Sequence, residues 1–156
     1  MANFLWATPG ALSSGFLDTE LNAWALDTTV LSSAINNSSA RKTHMDIELH
    51  LAGVNLSGET NQAIEVYILN SVDGGTTYQS GETGKSDADE YPSADTLLCT
   101  IGVQVETAAQ VHDAVKTGLV IPPTYFKLLF IQKAGPATLA ATGNTIEYRT
   151  YNMADA

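Results

Sequence analysis

The sequence predicts an all-β protein, an antiparallel β-sandwich of jelly-roll-like type with seven or eight strands and an N-terminal arm. Three observations predict it. Apolar and polar residues alternate with a period of two in several short runs, as in strands with one buried face. Clusters of Gly, Asn, Asp, Ser and Pro separate those runs at the spacing of a sandwich. No stretch keeps an amphipathic helical period over three turns. The 156 residues fit one domain with one continuous core. We place the arm at residues 1–20 and the sandwich at residues 21–156.

Within residues 1–20 the apolar side chains Phe4, Leu5, Trp6, Phe16 and Leu17 are scattered among Gly and Ser, and no period holds. Such an arm covers its own sheet edge or lies on a neighbour. Exposed aromatics on a free arm are unfavourable, so Phe4, Leu5 and Trp6 are the candidate partner-binding residues.

Residues 25–31 then read as a short strand, and Ile35-Asn36-Asn37-Ser38-Ser39 as a turn. Residues 44–51 alternate: Met45, Ile47, Leu49 and Leu51 point one way, and His44, Asp46, Glu48 and His50 the other. A loop over 53–62 leads to a strand over 63–71, with Ile64, Val66 and Ile68 on one face. Asp73-Gly74-Gly75 is a tight-turn signature. Residues 76–95, with almost no aliphatic side chain, form the one long loop. Leu97, Cys99, Ile101, Val103 and Val105 are in phase along the next strand. A weaker strand over 110–121 is closed by Pro122-Pro123, whose rings end pairing. Residues 125–133 are apolar on both faces, as a central strand is. In the last strand, 144–152, Ile146, Tyr148 and Thr150 oppose Glu147, Arg149 and Tyr151. A double-sheet jelly roll suits this pattern best. An immunoglobulin-type sandwich is the alternative, but its Cys…Trp…Cys signature is missing.

Seven Lys and Arg stand against seventeen Asp and Glu, a net charge of −10. A chain this acidic repels phosphate, which argues against nucleic acid and anionic membranes as partners. Charged residues make up only 15 % of the chain, against about a quarter in ordinary proteins. The surface is therefore rich in hydroxyls and amides, and a closed homo-oligomer, a dimer or trimer, is expected. The N-terminus has neither a basic region nor a long apolar one, so synthesis in the cytoplasm without a signal peptide is expected.

No nucleophile elbow, zinc-helix motif or phosphate loop occurs, and no enzyme activity is expected. The single Cys99 excludes an intrachain disulfide and reads as a buried structural thiol. The row His44, Asp46, Glu48, His50 has metal-ligand chemistry. Alternate residues on one strand are about 7 Å apart, too far for all four to reach one ion. A solvated or subunit-facing surface is the better reading. The acidic loop residues Asp87, Asp89, Glu90 and Asp95 have D-x-D spacing without the Gly and the closing Glu of a calcium loop. His112, beside Asp113, reads as a surface residue. No cofactor and no metal are expected.

Two stretches carry a resemblance. One is VYILNSVDGGTTYQSGE at residues 66–82. The other is PPTYFKLLFIQKAG…LAATGNTIEYRTYN at residues 122–152. Together they resemble small β-sandwich virion structural proteins of tailed bacteriophages, with an LxxSLDGxxY hairpin, paired prolines, an FKxLLxNK strand and a final ASGNTLxYRxYN strand. The resemblance spans residues 25–152 and is strongest in the last third. It implies a capsid decoration or cement protein that binds the major capsid protein lattice and resides in the virion. The matching positions, Asp73, Gly74, Pro122, Pro123, Gly143 and Asn144, shape backbone rather than build a site. The rival expectation is a carbohydrate- or receptor-binding module, since jelly rolls also serve lectins. Its sugar-stacking candidates are Trp24, Tyr78 and Tyr91.

Overall fold

The period-two runs become strands in the computed structural model. It describes residues 4–6, 10–54, 62–79, 92–103, 110–134 and 139–155, of which 4–6, 54, 110 and 154–155 through their backbone only. The strands are β1 (Phe4–Trp6), β2 (Thr29–Leu31), β3 (Ile35–Asn36), β4 (His44–Val54), β5 (Ala63–Ser71), β6 (Leu97–Gly102), β7 (Gln110–Val120), β8 (Tyr125–Gln132), β9 (Thr145–Tyr151) and β10 (Met153–Asp155).

One sheet has the order β7-β4-β9, and the other β2-β8-β5-β6 with β3 also beside β8. All pairings are antiparallel. Residues 13–17 extend the first sheet along β9. Leu17 and Ile146 exchange backbone hydrogen bonds of 3.2 and 2.9 Å, and the Ser13 N–H donates to the Tyr148 carbonyl at 2.8 Å. With that segment as an edge, the sheets read 13–17, β9, β4, β7 and β2/β3, β8, β5, β6. This is the jelly-roll order, in which the chain changes sheet at every connection except β5 to β6.

The inner faces meet in one core. Met45, Ile47, Leu49, Leu51 and Ile146 come from the first sheet; Val30, Ile35, Ile64, Val66, Ile101, Phe126, Leu128 and Phe130 come from the second. Strand β8 is central and buried on both faces, as its composition predicts. Its outward residues Leu129 and Ile131 form a second small cluster with Leu31, Tyr67 and Leu69 beneath Tyr78. The Lys127 ammonium sits 4.6 Å from the centre of the Tyr78 ring, a cation–π contact on the outside of that sheet.

The strand layout differs from the sequence reading at several points. Leu17 and Leu21 are core residues, and Phe16 packs edge-on against Tyr148 at 4.5 Å, so the second half of the 1–20 segment belongs to the sandwich. A bulge between Val66 and Tyr67 shifts the β5–β6 register and turns Leu97 outward, out of phase with Ile101. Ile35 and Asn36, read as turn residues, make a short pairing with Phe126 and Tyr125. Val105 and most of the loops over 53–62 and 76–95 lie outside the described residues.

Candidate interaction surfaces

The family-like positions are turns first. In the β5 exit, the Asp73 carboxylate accepts hydrogen bonds from the Thr76 and Thr77 backbone N–H groups and from the Ser71 and Thr77 hydroxyls. Those donors, led by the Thr77 hydroxyl, hold its carboxyl far below the ordinary value. The loop needs positive φ at Gly74 (76°) and Gly75 (91°). A side chain on Gly75 would meet the Tyr125 ring at 2.9 Å. The motif S-x-D-G-G-T-T is thus a self-contained hydrogen-bonded turn that seats Tyr78 on the sheet.

Asn144 plays a comparable part at the other end. Its side-chain oxygen accepts from the Ala52 N–H, and its amide donates to the carbonyls of Leu21 and Ala140. One buried residue thereby ties β4, β9 and the 18–23 segment together. Asn37 does the same beside the paired prolines, donating to the Lys42 and Pro122 carbonyls at 2.7 Å each. Sequence reasoning marked the 35–39 cluster as a turn and missed this clamp. The signal was present only as an Asn in a turn whose partner lies 85 residues away.

The polar side of β4 is less simple than its alternation implied. Asp46, read as solvated, is buried with a side chain 6 % exposed. It accepts from the Arg149 guanidinium at 2.8 Å, the Tyr151 hydroxyl at 2.9 Å and the Gly118 N–H at 3.0 Å. Burial alone would raise its carboxyl, but these donors outweigh burial and hold it below the usual value. The Gly118 N–H also reaches the Tyr151 hydroxyl at 3.1 Å, so the bulge in β7 closes over this network. His44 stacks on Tyr151, with ring centres 5.7 Å apart. His50 meets Asp113 at 2.6 Å. His44 and Asp46 thus share Tyr151, His50 turns to Asp113, and the row does not converge on one point. Among the described residues no group of three or more His, Cys, Asp or Glu is arranged to hold a metal ion.

The backbone of Phe4, Leu5 and Trp6 pairs with Asp155, Ala154 and Met153. The segment that the sequence left without a period thus forms a two-stranded ribbon with the other end of the chain. Asp95 lies in a 3-10 turn and is exposed, whereas Asp87, Asp89, Glu90 and Tyr91 fall outside the described residues. Trp24 and Tyr78 are buried, the first donating its indole N–H to the Thr28 carbonyl. His112 is also buried, contrary to its reading as a surface residue. It lies opposite Leu51 on the inner side of β7, and no group among the described residues hydrogen-bonds its Nε2. The alternation of β7 was too weak to reveal this, because valines occupy its outward positions.

Cys99 is half-buried on β6, and burial pushes its thiol up to about 11. It has none of the thiolate character of a nucleophile. The native protein is expected to react with a thiol reagent at neutral pH at least about tenfold more slowly than the unfolded chain. Ellman-type kinetics with and without denaturant read this directly, and equal rates would contradict it.

Comparison with family models, with curated proteins and with solved structures gave no match.

Proposed function

We propose that this chain is a structural virion protein of a tailed bacteriophage, a non-catalytic capsid decoration or cement protein that binds the capsid surface and stiffens it. One observation carries the reading. The positions through which the sequence resembles that family are the ones that shape this sandwich: the Asp73 turn, the prolines beside the Asn37 clamp, and the Gly143-Asn144 corner. The resemblance therefore tracks backbone geometry rather than composition. The acidic charge, which suits contact with a basic protein surface, supports the same reading. Of the three stacking candidates of the sugar-binding alternative, Trp24 and Tyr78 are buried and unavailable to a saccharide, and Tyr91 lies outside the described residues.

Phe4, Leu5 and Trp6 remain the proposed contact residues of the arm. Their backbone is already held by pairing with Met153–Asp155, and aromatic side chains are the anchors that contribute most at a protein contact. Deleting residues 1–10 tests the reading, since the first core residue beyond the cut is Leu17. The truncated protein is expected to keep its far-ultraviolet spectrum and its thermal transition, while its occupancy on capsids falls. Particles stripped of the full-length protein are expected to lose resistance to heat. Location on tail fibres, or preference for sugar over capsid, would overturn the reading.

A further inference from the structure

Strand β7 is the end strand of the β7-β4-β9 sheet. Two features discourage another strand from adding to it. Lys116 lies opposite the inward Ile47, and a bulge at Gly118 (φ 72°) interrupts the ladder. The outward face of the same strand is unlike this guarded edge. Val111, Val115 and Val120 are 56 %, 55 % and 70 % exposed. Register puts them on one surface: Val120 is opposite His44, Val115 is opposite Glu48, and Val111 is two residues from Asp113, which is opposite His50.

Beside this apolar row lies a charge arrangement that is unfavourable in isolation. Glu48 of β4 stands directly opposite Glu147 of β9. Like charges so placed destabilise a sheet. No basic group among the described residues forms a salt bridge with either glutamate, since Arg149 is held by Asp46 and His50 by Asp113. A second copy of a chain with net charge −10 would bring acid to acid, which disfavours self-association through this face. The chemistry that satisfies it is a Lys or Arg entering between the glutamates, with aliphatic groups around it to cover the valines.

We propose that the outer face of the β7-β4-β9 sheet, the row Val111, Val115 and Val120 beside the Glu48/Glu147 pair, docks a basic protein surface rimmed by aliphatic side chains. This rests on the capsid-binding reading, the basic surface being that of the capsid lattice. It adds a sheet-face contact to the arm.

The test uses capsid shells stripped of the protein and titrated with purified full-length chain. Val115→Glu places a third carboxylate at an exposed position. Glu48→Gln with Glu147→Gln removes the charge while keeping the shape. Val115→Glu is expected to bind about tenfold or more weakly. The double Gln variant is expected to bind more weakly with a flatter salt dependence, yet to unfold at a higher temperature, because the like-charge pair is gone. A purely structural role for the glutamates gives no such opposition between stability and binding. If the wild type binds and both variants bind within about twofold of it with the same salt slope, the face inference fails and the capsid reading stands on the arm. If the wild type does not bind shells at all, both fall. If Val115→Glu converts an oligomer to a monomer without changing shell binding, the occupant is a second copy and the proposal is overturned.

Discussion

Phe130→Ala is expected to destabilise the protein by about 3–5 kcal/mol and to lower its thermal midpoint by roughly 10 °C or more. Phe130 is fully buried on central strand β8, opposite Val30 of β2 and Val66 of β5, both also buried. Neighbouring strands hold its surroundings from two sides, so the site cannot collapse onto the space left by the ring. The loss therefore includes a cavity cost as well as the transfer of a phenyl group. Val115→Ala is the control: on the exposed outer face it should shift stability by no more than about 0.5 kcal/mol. Calorimetric or urea unfolding of the two variants checks the contrast, and similar losses would mean that the core is not organised around β8.

Asp46→Ala comes next, with an expected loss of about 2–4 kcal/mol. The carboxylate, on β4, unites three donors from the two flanking strands: Arg149 and Tyr151 of β9 and Gly118 at the β7 bulge. Removing it takes the acceptor from the Tyr151 hydroxyl proton and leaves the Gly118 N–H with the longer contact to the Tyr151 oxygen at 3.1 Å. The Arg149 side chain, 35 % exposed, can partly rehydrate, which keeps the loss below that of a fully buried pair. The same network sets an acid dependence. The folded carboxyl titrates below its ordinary 3.8, so the native state binds this proton less readily than the unfolded chain does. Its contribution is complete above the unfolded value and disappears as pH falls through the lower, folded one. Between pH 5 and acid conditions, the wild type is expected to lose stability relative to Asp46→Asn, which cannot titrate. Parallel pH profiles for the two would contradict this assignment.

The inward alternation of β4 was legible because Met45, Ile47, Leu49 and Leu51 follow one local period, and all four are buried. The two-sided burial of β8 was legible from composition alone. What could not be read depends on contacts distant along the chain. Asp46 has an outward position by period, and its partners Gly118, Arg149 and Tyr151 lie 72, 103 and 105 residues away. Residues 13–17 carry no period, yet they become an edge through pairing with Ile146. The outward turn of Leu97 follows from a one-residue bulge, which periodicity assumes away. The turn at Asp73 was visible as a turn, but its role in seating Tyr78 over Leu69 and Leu129 was not.

The order of the strands also governs how this chain reaches its native state. Among the described residues only β5 and β6 are consecutive partners within the two main sheets, and even they are separated by the stretch from Val72 to Thr96. Every other pairing in those sheets joins segments that leave one sheet, cross the other and return, so among the described strands no short hairpin nucleates the sandwich. Loop closure must be met before the contacts that reward it form, which places folding in the slow regime of roughly milliseconds to seconds. Strand β8 pairs with β2, β3 and β5 and arrives late from a ribosome, so the five-stranded sheet stays incomplete until about residue 132 has emerged. Until then the inner faces of β4 and β5 are uncovered, and early crowding of nascent chains, rather than weakness of the finished fold, is where yield would be lost.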